Sequence, residues 1–475
     1  MPKICHFFPL PKNPDETRDT IPALTLIPDH PNMKRPQLLS PAGSLKSLRF
    51  AFAYGADAVY AGLPRYSLRV RNNEFRNTAA LAEGIAVARE AGKAFYLAVN
   101  VMPHNRKIET FLDDLAPVVA LKPDALIMAD PGLIMLVRER WPEMSVHLSV
   151  QANALNYASV RFWQRQGIAR IILSRELSLD EIADIRQHCP DIELEVFVHG
   201  ALCIAYSGRC LLSGYFNHRD ANQGACTNAC RWRYRLAPGN ETAEGVLLPH
   251  EASCSSPAAD QVYLIEEPER RQNEWMEISE DEHGTYLMNS RDLRAVRHVQ
   301  RLIEIGIDSL KIEGRTKSHY YTARTAQIYR RAIDDAMVGR EFDPDLLKQL
   351  DSLANRGYTE GFFDRHAVNA TPDNTQNYAD GASSNFTQQF VAEAIDYDTD
   401  TGLTTLEVKN RFAVGDTLEI IAPEGNRVCA LEALWDLEGN AITTAPGSGH
   451  VVKAEIGKTG AMTLVARRLS TTPAL

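Results

Sequence analysis

No stretch of this chain approaches the ~20 consecutive apolar residues of a membrane-spanning helix. The first residues, with Asp15, Glu16 and Arg18 close behind Pro9 and Pro11, lack the apolar run of a secretory signal. A cytoplasmic protein with no membrane partner is the expectation. Positive charge is also short. Against 61 Asp and Glu there are 51 Lys and Arg, a formal charge of -10, which excludes indiscriminate coating of nucleic acid but leaves room for a local basic patch that holds RNA. Cysteine, at 8 in 475 residues, is too sparse for a disulfide scaffold. Neither a His-Glu-x-x-His zinc motif nor a Ser-His-Asp set is visible.

What the chain does have is alternation. Residues 1-35 are proline-rich from Pro2 to Pro31 and show no sustained periodicity, which reads as an extended arm. From Pro36 onward, short apolar runs alternate with amphipathic helical patterns. The runs are Gln37-Ser40, Ala56-Tyr60, Phe95-Val101, Ala125-Ala129, Val146-Gln151, Arg170-Leu173, Leu194-Val198 and Ser309-Ile312. Runs buried on both faces and separated by helices describe a parallel sheet, and eight such units describe an α/β fold of the eight-stranded β/α (TIM-like) barrel type. A doubly wound open sheet is the alternative. The barrel is expected over 36-340, with an excursion at 200-285 whose acidic second half, Glu241-Glu280, is expected to be mobile. A connector at 341-385 leads to alternating segments over 386-475, the pattern of a small C-terminal antiparallel β-barrel domain.

Active sites of such barrels lie at the C-terminal strand ends. Those ends are polar here: Ser40, Tyr60, Asn100, Asp130, Gln151 with Asn153, Ser174-Arg175-Glu176, His199 and Glu313-Gly314-Arg315. On the loop leaving the seventh strand lie Cys203, Cys210, Cys226 and Cys230. Four thiolates satisfy either a tetrahedral zinc or a cubane iron-sulfur cluster; the wide first gap favours the cluster, and unliganded structural cysteines are the third option. Cys254 falls in the same excursion and is the substitute ligand to consider, whereas Cys5, Cys189 and Cys429 lie elsewhere.

The segment Glu195-x-Phe197-x2-Gly200-Ala201-Leu202-Cys203-x4-Gly208-x-Cys210-x-Leu212-Ser213 resembles the signature of the collagenase-like unassigned-peptidase family 32 at every fixed position. Leu39-Ser40-Pro41-Ala42-Gly43, His147-Leu148-Ser149-Val150-Gln151-Ala152 and Lys311-Ile312-Glu313-Gly314-Arg315 resemble it as well. The segments Tyr66-Asn73 and Asn289-Leu293 are most similar to a branch of the family that acts on tRNA. The resemblance implies oxygen-independent, prephenate-dependent hydroxylation of wobble uridine to 5-hydroxyuridine. It implies a four-iron four-sulfur cluster on Cys203, Cys210, Cys226 and Cys230, with tRNA, prephenate and an electron donor as partners. On that reading His199 and Glu313 are acid-base candidates. Arg69, Arg71, Arg175 and Arg315 are candidates for the carboxylates of prephenate or the RNA backbone. Tyr60, Tyr66 or Tyr206 can stack on a flipped base, and Gln151 completes the substrate-binding set. A collagenase-like peptidase, an RNA-binding accessory with structural zinc, and a hydroxylase of ribosomal RNA or another aromatic substrate are the alternatives.

Overall fold

The computed structural model describes residues 33–68, 73–202, 206, 227, 235–241, 247–249, 263–266, 275–278, 280–281, 284–285, 291–355, 357–364 and 387–469. Seven parallel strands come first: β1 (Gln37–Pro41), β2 (Ala58–Gly62), β3 (Ala94–Val99), β4 (Ala125–Met128), β5 (Val146–Leu148), β6 (Arg170–Ile172) and β7 (Glu193–Ala201). After them come β8 (Asp292–Arg294) and β9 (Ser309–Ile312). Each of β1 to β6 pairs with the next, and β9 pairs in parallel with both β7 and β1. The sheet therefore closes, which rules out the doubly wound alternative, and the eight apolar runs of the sequence supply its eight staves.

Local chemistry explains why helices start where they do. Ser44, Asn77, Asn156 and Ser318 each cap a helix by accepting from a backbone N–H three residues on. Ser178 and Glu181 form a reciprocal capping box on Leu179–His188. No helix among the described residues is long and apolar enough to cross a membrane.

Two features depart from the simple alternation. First, β7 runs nine residues, and its last turn pairs antiparallel with β8 rather than continuing along β9. The register between β7 and β9 shifts there, Lys311 opposing Phe197 and Ile312 opposing His199. The extra residue on β7 is a bulge, and it reverses which face the following side chain takes. Second, the excursion contains backbone pairing. Arg235–Glu241 pairs with Leu247–Pro249 and with Tyr263–Glu266, which pairs in turn with Trp275–Ile278. The acidic half thus carries strands among its described residues, because short alternating segments such as Trp275-Met276-Glu277-Ile278 survive inside a polar average.

Beyond the barrel, residues 388–468 form an eight-stranded antiparallel sheet around Val391, Leu406, Val408, Phe412 and Ile420. Among the described residues its two outermost strands, Gly425–Ala430 and Ala441–Ile442, are not paired to each other, so the expected small barrel is an open sheet. Two-residue strands at one edge are too short to close it. The sheet docks on the outer barrel helices Leu45–Ala53 and His319–Met337. Tyr54 donates to the carbonyls of Ile421 (2.7 Å) and Met462 (3.0 Å), and the buried Arg324 faces Glu419 at 3.3 Å.

The barrel interior is charged. Parallel neighbours in register share a face, and the interior face carries Glu195, Lys311, Arg170 and His147, all buried. Lys311 Nζ lies 2.9 Å from Glu195, which also faces Arg170 at 3.2 Å. Arg170 reaches Glu193 (2.8 Å) and donates to Gln37 (2.8 Å). Burial by itself would raise the Glu195 carboxyl, but Lys311 and Arg170 outweigh it and hold it at about 2. Burial holds His147 down at about 3, with Arg170 adding to the effect. The same applies to His199, enclosed outside the barrel and held at about 3 by burial.

This interior makes two outcomes measurable. Glu195→Ala strands two buried cations and should destabilise the fold by about 3–5 kcal/mol, read as a lowered urea midpoint. An unchanged midpoint would remove the ion cluster as a stabilising element. His147 and His199 are neutral when folded yet take a proton below about pH 6.5 when unfolded. Their stabilisation is therefore fully present above about pH 6.5 and falls as pH drops towards about 3, by roughly 1.4 kcal/mol per pH unit for each histidine. Urea titrations between about pH 7.5 and 5 should show this slope, and His147→Gln or His199→Gln should each remove one proton's share of it.

Candidate active site

The C-terminal strand ends converge on a mouth built from β2, β3, β5, β6 and β9. Tyr60 on β2 donates to the carbonyl of Ile312 at 3.0 Å, and its ring is flanked by Lys311 Nζ at 4.3 Å and the Arg315 guanidinium at 5.5 Å. Arg315 follows β9 and turns inward across Gly62. It donates from Nη1 to Ser67 Oγ at 2.6 Å and from Nη2 to the Leu68 carbonyl at 2.7 Å. A Cβ at position 62 would sit 2.6 Å from that Nη1, so glycine is what lets the guanidinium through. Arg315 thereby braces the loop leaving β2, and its partner is that loop rather than Glu313.

Glu313 pairs with Arg175 instead, at 3.4 Å, with both side chains nearly buried. The Arg175 guanidinium lies 3.8 Å over the Phe197 ring and donates to the Ala201 carbonyl at 3.4 Å. Ala201 stands two residues before Cys203, so this cation ties the rim of the barrel to the root of the cysteine loop. Gly200, at φ +104, makes the junction possible, because a Cβ there would fall 2.4 Å from the Glu313 carbonyl oxygen. The main chain of Glu313 is fixed from both sides: its N–H donates to the His199 carbonyl (2.8 Å) and its carbonyl accepts from Tyr321 Oη (2.7 Å).

Gln151 follows β5 on a short 3-10 turn and is 2% exposed. Tyr60 and Arg315 are thus brought together at the strand ends, as are Arg175 and Glu313, while Gln151 touches Ser149 at the end of β5. The His199 side chain joins neither pair. The β7 bulge turns its ring outward among Tyr321, Tyr329 and Tyr358, with centroids at 5.9, 5.5 and 5.6 Å. Its Nδ1 lies 3.3 Å from Tyr329 Oη, which donates to the Val198 carbonyl. A neutral imidazole packed between barrel and helix holds β7 in place, with its contacts among the described residues to the three tyrosines. Tyr66 is likewise spent on packing, edge-on to Phe111 and bonded to Asp114 at 2.5 Å. Asp130 caps the helix Pro131–Arg140. Tyr206 is 62% exposed. Arg69, Arg71, Cys203, Cys210, Cys226 and Cys230 lie outside the described residues.

Reading strand ends singly missed Ser67, Gly62 and the Lys311–Glu195 pair beneath them. The signal for the pair was present: charges at interior positions in Glu195-x-Phe197 and Lys311-x-Glu313, where a barrel core is ordinarily aliphatic. Chemically, the mouth offers two guanidinium groups, one carboxylate and an amide. That set suits a polar or anionic ligand.

Sequence comparisons agree with this architecture. Residues 43–372 match the profile of peptidase family U32, and residues 387–465 match its C-terminal domain. Two curated relatives are both named tRNA hydroxylation protein P. The one from Escherichia coli is 57% identical over 88% of this chain and 93% of its own. The one from Haemophilus influenzae is 56% identical over 88% of this chain and 92% of its own. A solved U32 peptidase structure is 15% identical, with a TM-score of 0.35, over 60% of this chain and 97% of that one. With family-characteristic segments lining the strand ends and both family domains matched along the chain, the protein belongs to peptidase family U32.

Proposed function

We propose that the protein is a tRNA-modifying enzyme that hydroxylates wobble uridine to 5-hydroxyuridine, without molecular oxygen and with prephenate as cosubstrate. The observation that carries the tRNA part is the 57% identity, over 93% of its length, to a protein named for tRNA hydroxylation. The polar mouth is compatible with that substrate. Arg175 and Arg315 are the groups proposed to take the carboxylates of prephenate or an RNA phosphate. Each would trade an intramolecular contact for a bidentate one with the ligand. Glu313, held by its main chain and paired with Arg175, is the acid-base candidate at the mouth. Tyr60 is fixed through its hydroxyl and buried beside Lys311 and Arg315; it would stack on a flipped base once Arg315 turns to a ligand. Arg69 and Arg71, on the loop that Arg315 braces, are proposed to extend the anion site.

We also propose a four-iron four-sulfur cluster on Cys203, Cys210, Cys226 and Cys230. The donor set suits it: four thiols within 28 residues of chain, the first of them two residues past the strand end that Arg175 grips. When bound, the cluster would supply one-electron redox capacity, with an electron donor as a further partner. The chain's own contribution is to hold the root of that loop through Gly200, Arg175 and the Glu313 main chain.

Nucleoside mass spectrometry of tRNA from anaerobically grown cells tests the substrate. Deleting the gene should abolish 5-hydroxyuridine and its derivatives, and the wild-type chain should restore them. Unchanged levels would reject the tRNA assignment. Metal content tests the cluster separately. Cys203→Ala and Cys210→Ala, purified without oxygen, should lose iron, sulfide and the brown absorption near roughly 400 nm while melting as the wild type does. Cys429→Ser, a control in the C-terminal sheet, should keep all three. Full iron in either alanine variant would show that the ligands lie elsewhere.

A further inference from the structure

Polar side chains from two strand ends at the mouth are joined in one direction. The backbone N–H of Leu68 donates to Oδ1 of Asn100 at 3.2 Å. The Asn100 amide nitrogen then donates to Ser149 Oγ at 3.4 Å, and the Ser149 hydroxyl donates to Gln151 Oε1 at 3.5 Å. There the series stops. Gln151 Nε2 is buried and has no hydrogen-bond partner among the described residues, in a side chain that is 2% exposed.

The direction is not arbitrary. A backbone N–H can only donate, so Asn100 must turn its oxygen towards Leu68 and its nitrogen towards Ser149. Ser149, having accepted, has its own proton to give. Gln151 Oε1 accepts it in a hydrogen bond, which leaves the amide nitrogen as its donor. Both ends are held: Arg315 fixes the Leu68 carbonyl, and the Ser149 N–H is bonded to the Met128 carbonyl on β4 at 2.6 Å. A buried amide nitrogen without an acceptor is costly. A ligand that brings an acceptor removes that cost.

Resting on the tRNA reading above, we propose that Gln151 donates to the 4-carbonyl oxygen of the target uracil. Asn100 and Ser149 are the positioning residues that fix it as a donor and so select uridine over cytidine. Cytosine carries an amino group at that position, which would set donor against donor and leave both unpaired. The neighbouring C5 is the carbon to be hydroxylated, so the contact also registers the ring beside the reacting atom.

The relay makes a reversal testable. Asn100→Asp supplies acceptors only; Ser149 then donates to the carboxylate introduced there and accepts from Gln151, whose amide turns and shows oxygen to the site. Ser149→Ala removes one hydroxyl and leaves the Gln151 amide free to take either orientation. The measurement is fluorescence anisotropy of the full-length protein with anticodon stem-loop RNAs bearing uridine or cytidine at the target position. Melting temperature and hydroxylation of the uridine form are followed in parallel. The wild type should prefer uridine on the order of tenfold. Asn100→Asp should invert that ratio, and Ser149→Ala should bring it close to one in a protein that still folds, its melting temperature lowered only modestly by the two lost hydrogen bonds. If Asn100→Asp does not fold, Ser149→Ala alone decides. A wild-type ratio that both variants retain overturns the relay while leaving the tRNA function standing, as does a wild type that hydroxylates uridine but binds both RNAs equally. A wild type that binds and modifies neither RNA rejects the tRNA reading and this inference together.

Discussion

The barrel depends on one seam, between β7 and β9. From β1 to β7 each stave is joined to the next by a short crossover, but β7 and β9 are separated by more than a hundred residues of chain that include the whole excursion. Bringing such distant segments together costs loop-closure entropy, which grows slowly with length but must be met before any contact across the seam is gained. The ion pair of Lys311 and Glu195 spans this seam at 2.9 Å, with Arg170 supporting it from β6. Two oppositely charged groups dehydrated in a barrel core are a poor source of net stability. They are, however, specific: a slip of β9 by one residue would turn Lys311 to the outer face and leave Glu195 buried without its lysine.

The functional geometry is a continuation of that seam. Just above the ion pair the register shifts, so β7 stops following β9 and leans towards β8. The shift does three things in one turn of chain. It sends His199 outward to be locked among tyrosines, it creates the positive-φ position that Gly200 fills, and it aims the chain at the cysteine loop. The described part of the mouth is thus organised by strand geometry. Its arginines are already engaged: Arg315 braces the Ser67–Leu68 loop and Arg175 bridges Glu313 to Ala201. On the proposed function, a ligand would bind there by an exchange of partners, which would keep the buried guanidinium groups paired.

The C-terminal sheet adds, among the described residues, no cluster of reactive side chains to this mouth. It rests on helices Leu45–Ala53 and His319–Met337, the two that flank β1 and β9. Tyr54, at the end of the first helix, meets two carbonyls of the sheet, and Arg324, from within the second, meets Glu419. Docking on those helices buttresses the barrel on the side where the seam closes.

Much of this was legible in the residues alone. Apolar runs of strand length, separated by capped helices, determined the eight staves and their parallel order. Burial on both faces leaves no other stable pairing for such runs. The polar strand ends likewise announced where a candidate site would lie, and there Tyr60 lies beside Arg315 and Arg175 pairs with Glu313. What the residues could not say is which way each side chain turns. His199 has the composition of an acid-base group, but one extra residue in β7 moved it to the opposite face, and a bulge has no mark in an alternating sequence. Nor could the sequence pair Arg315 with Ser67 and Leu68 rather than Glu313, since that choice depends on how closely two strand ends approach across Gly62. Periodicity is a local property, so the chain carries it unaided. Facing, partner choice and the direction of a hydrogen-bond relay arise only when distant segments meet, and the tertiary structure alone decided them.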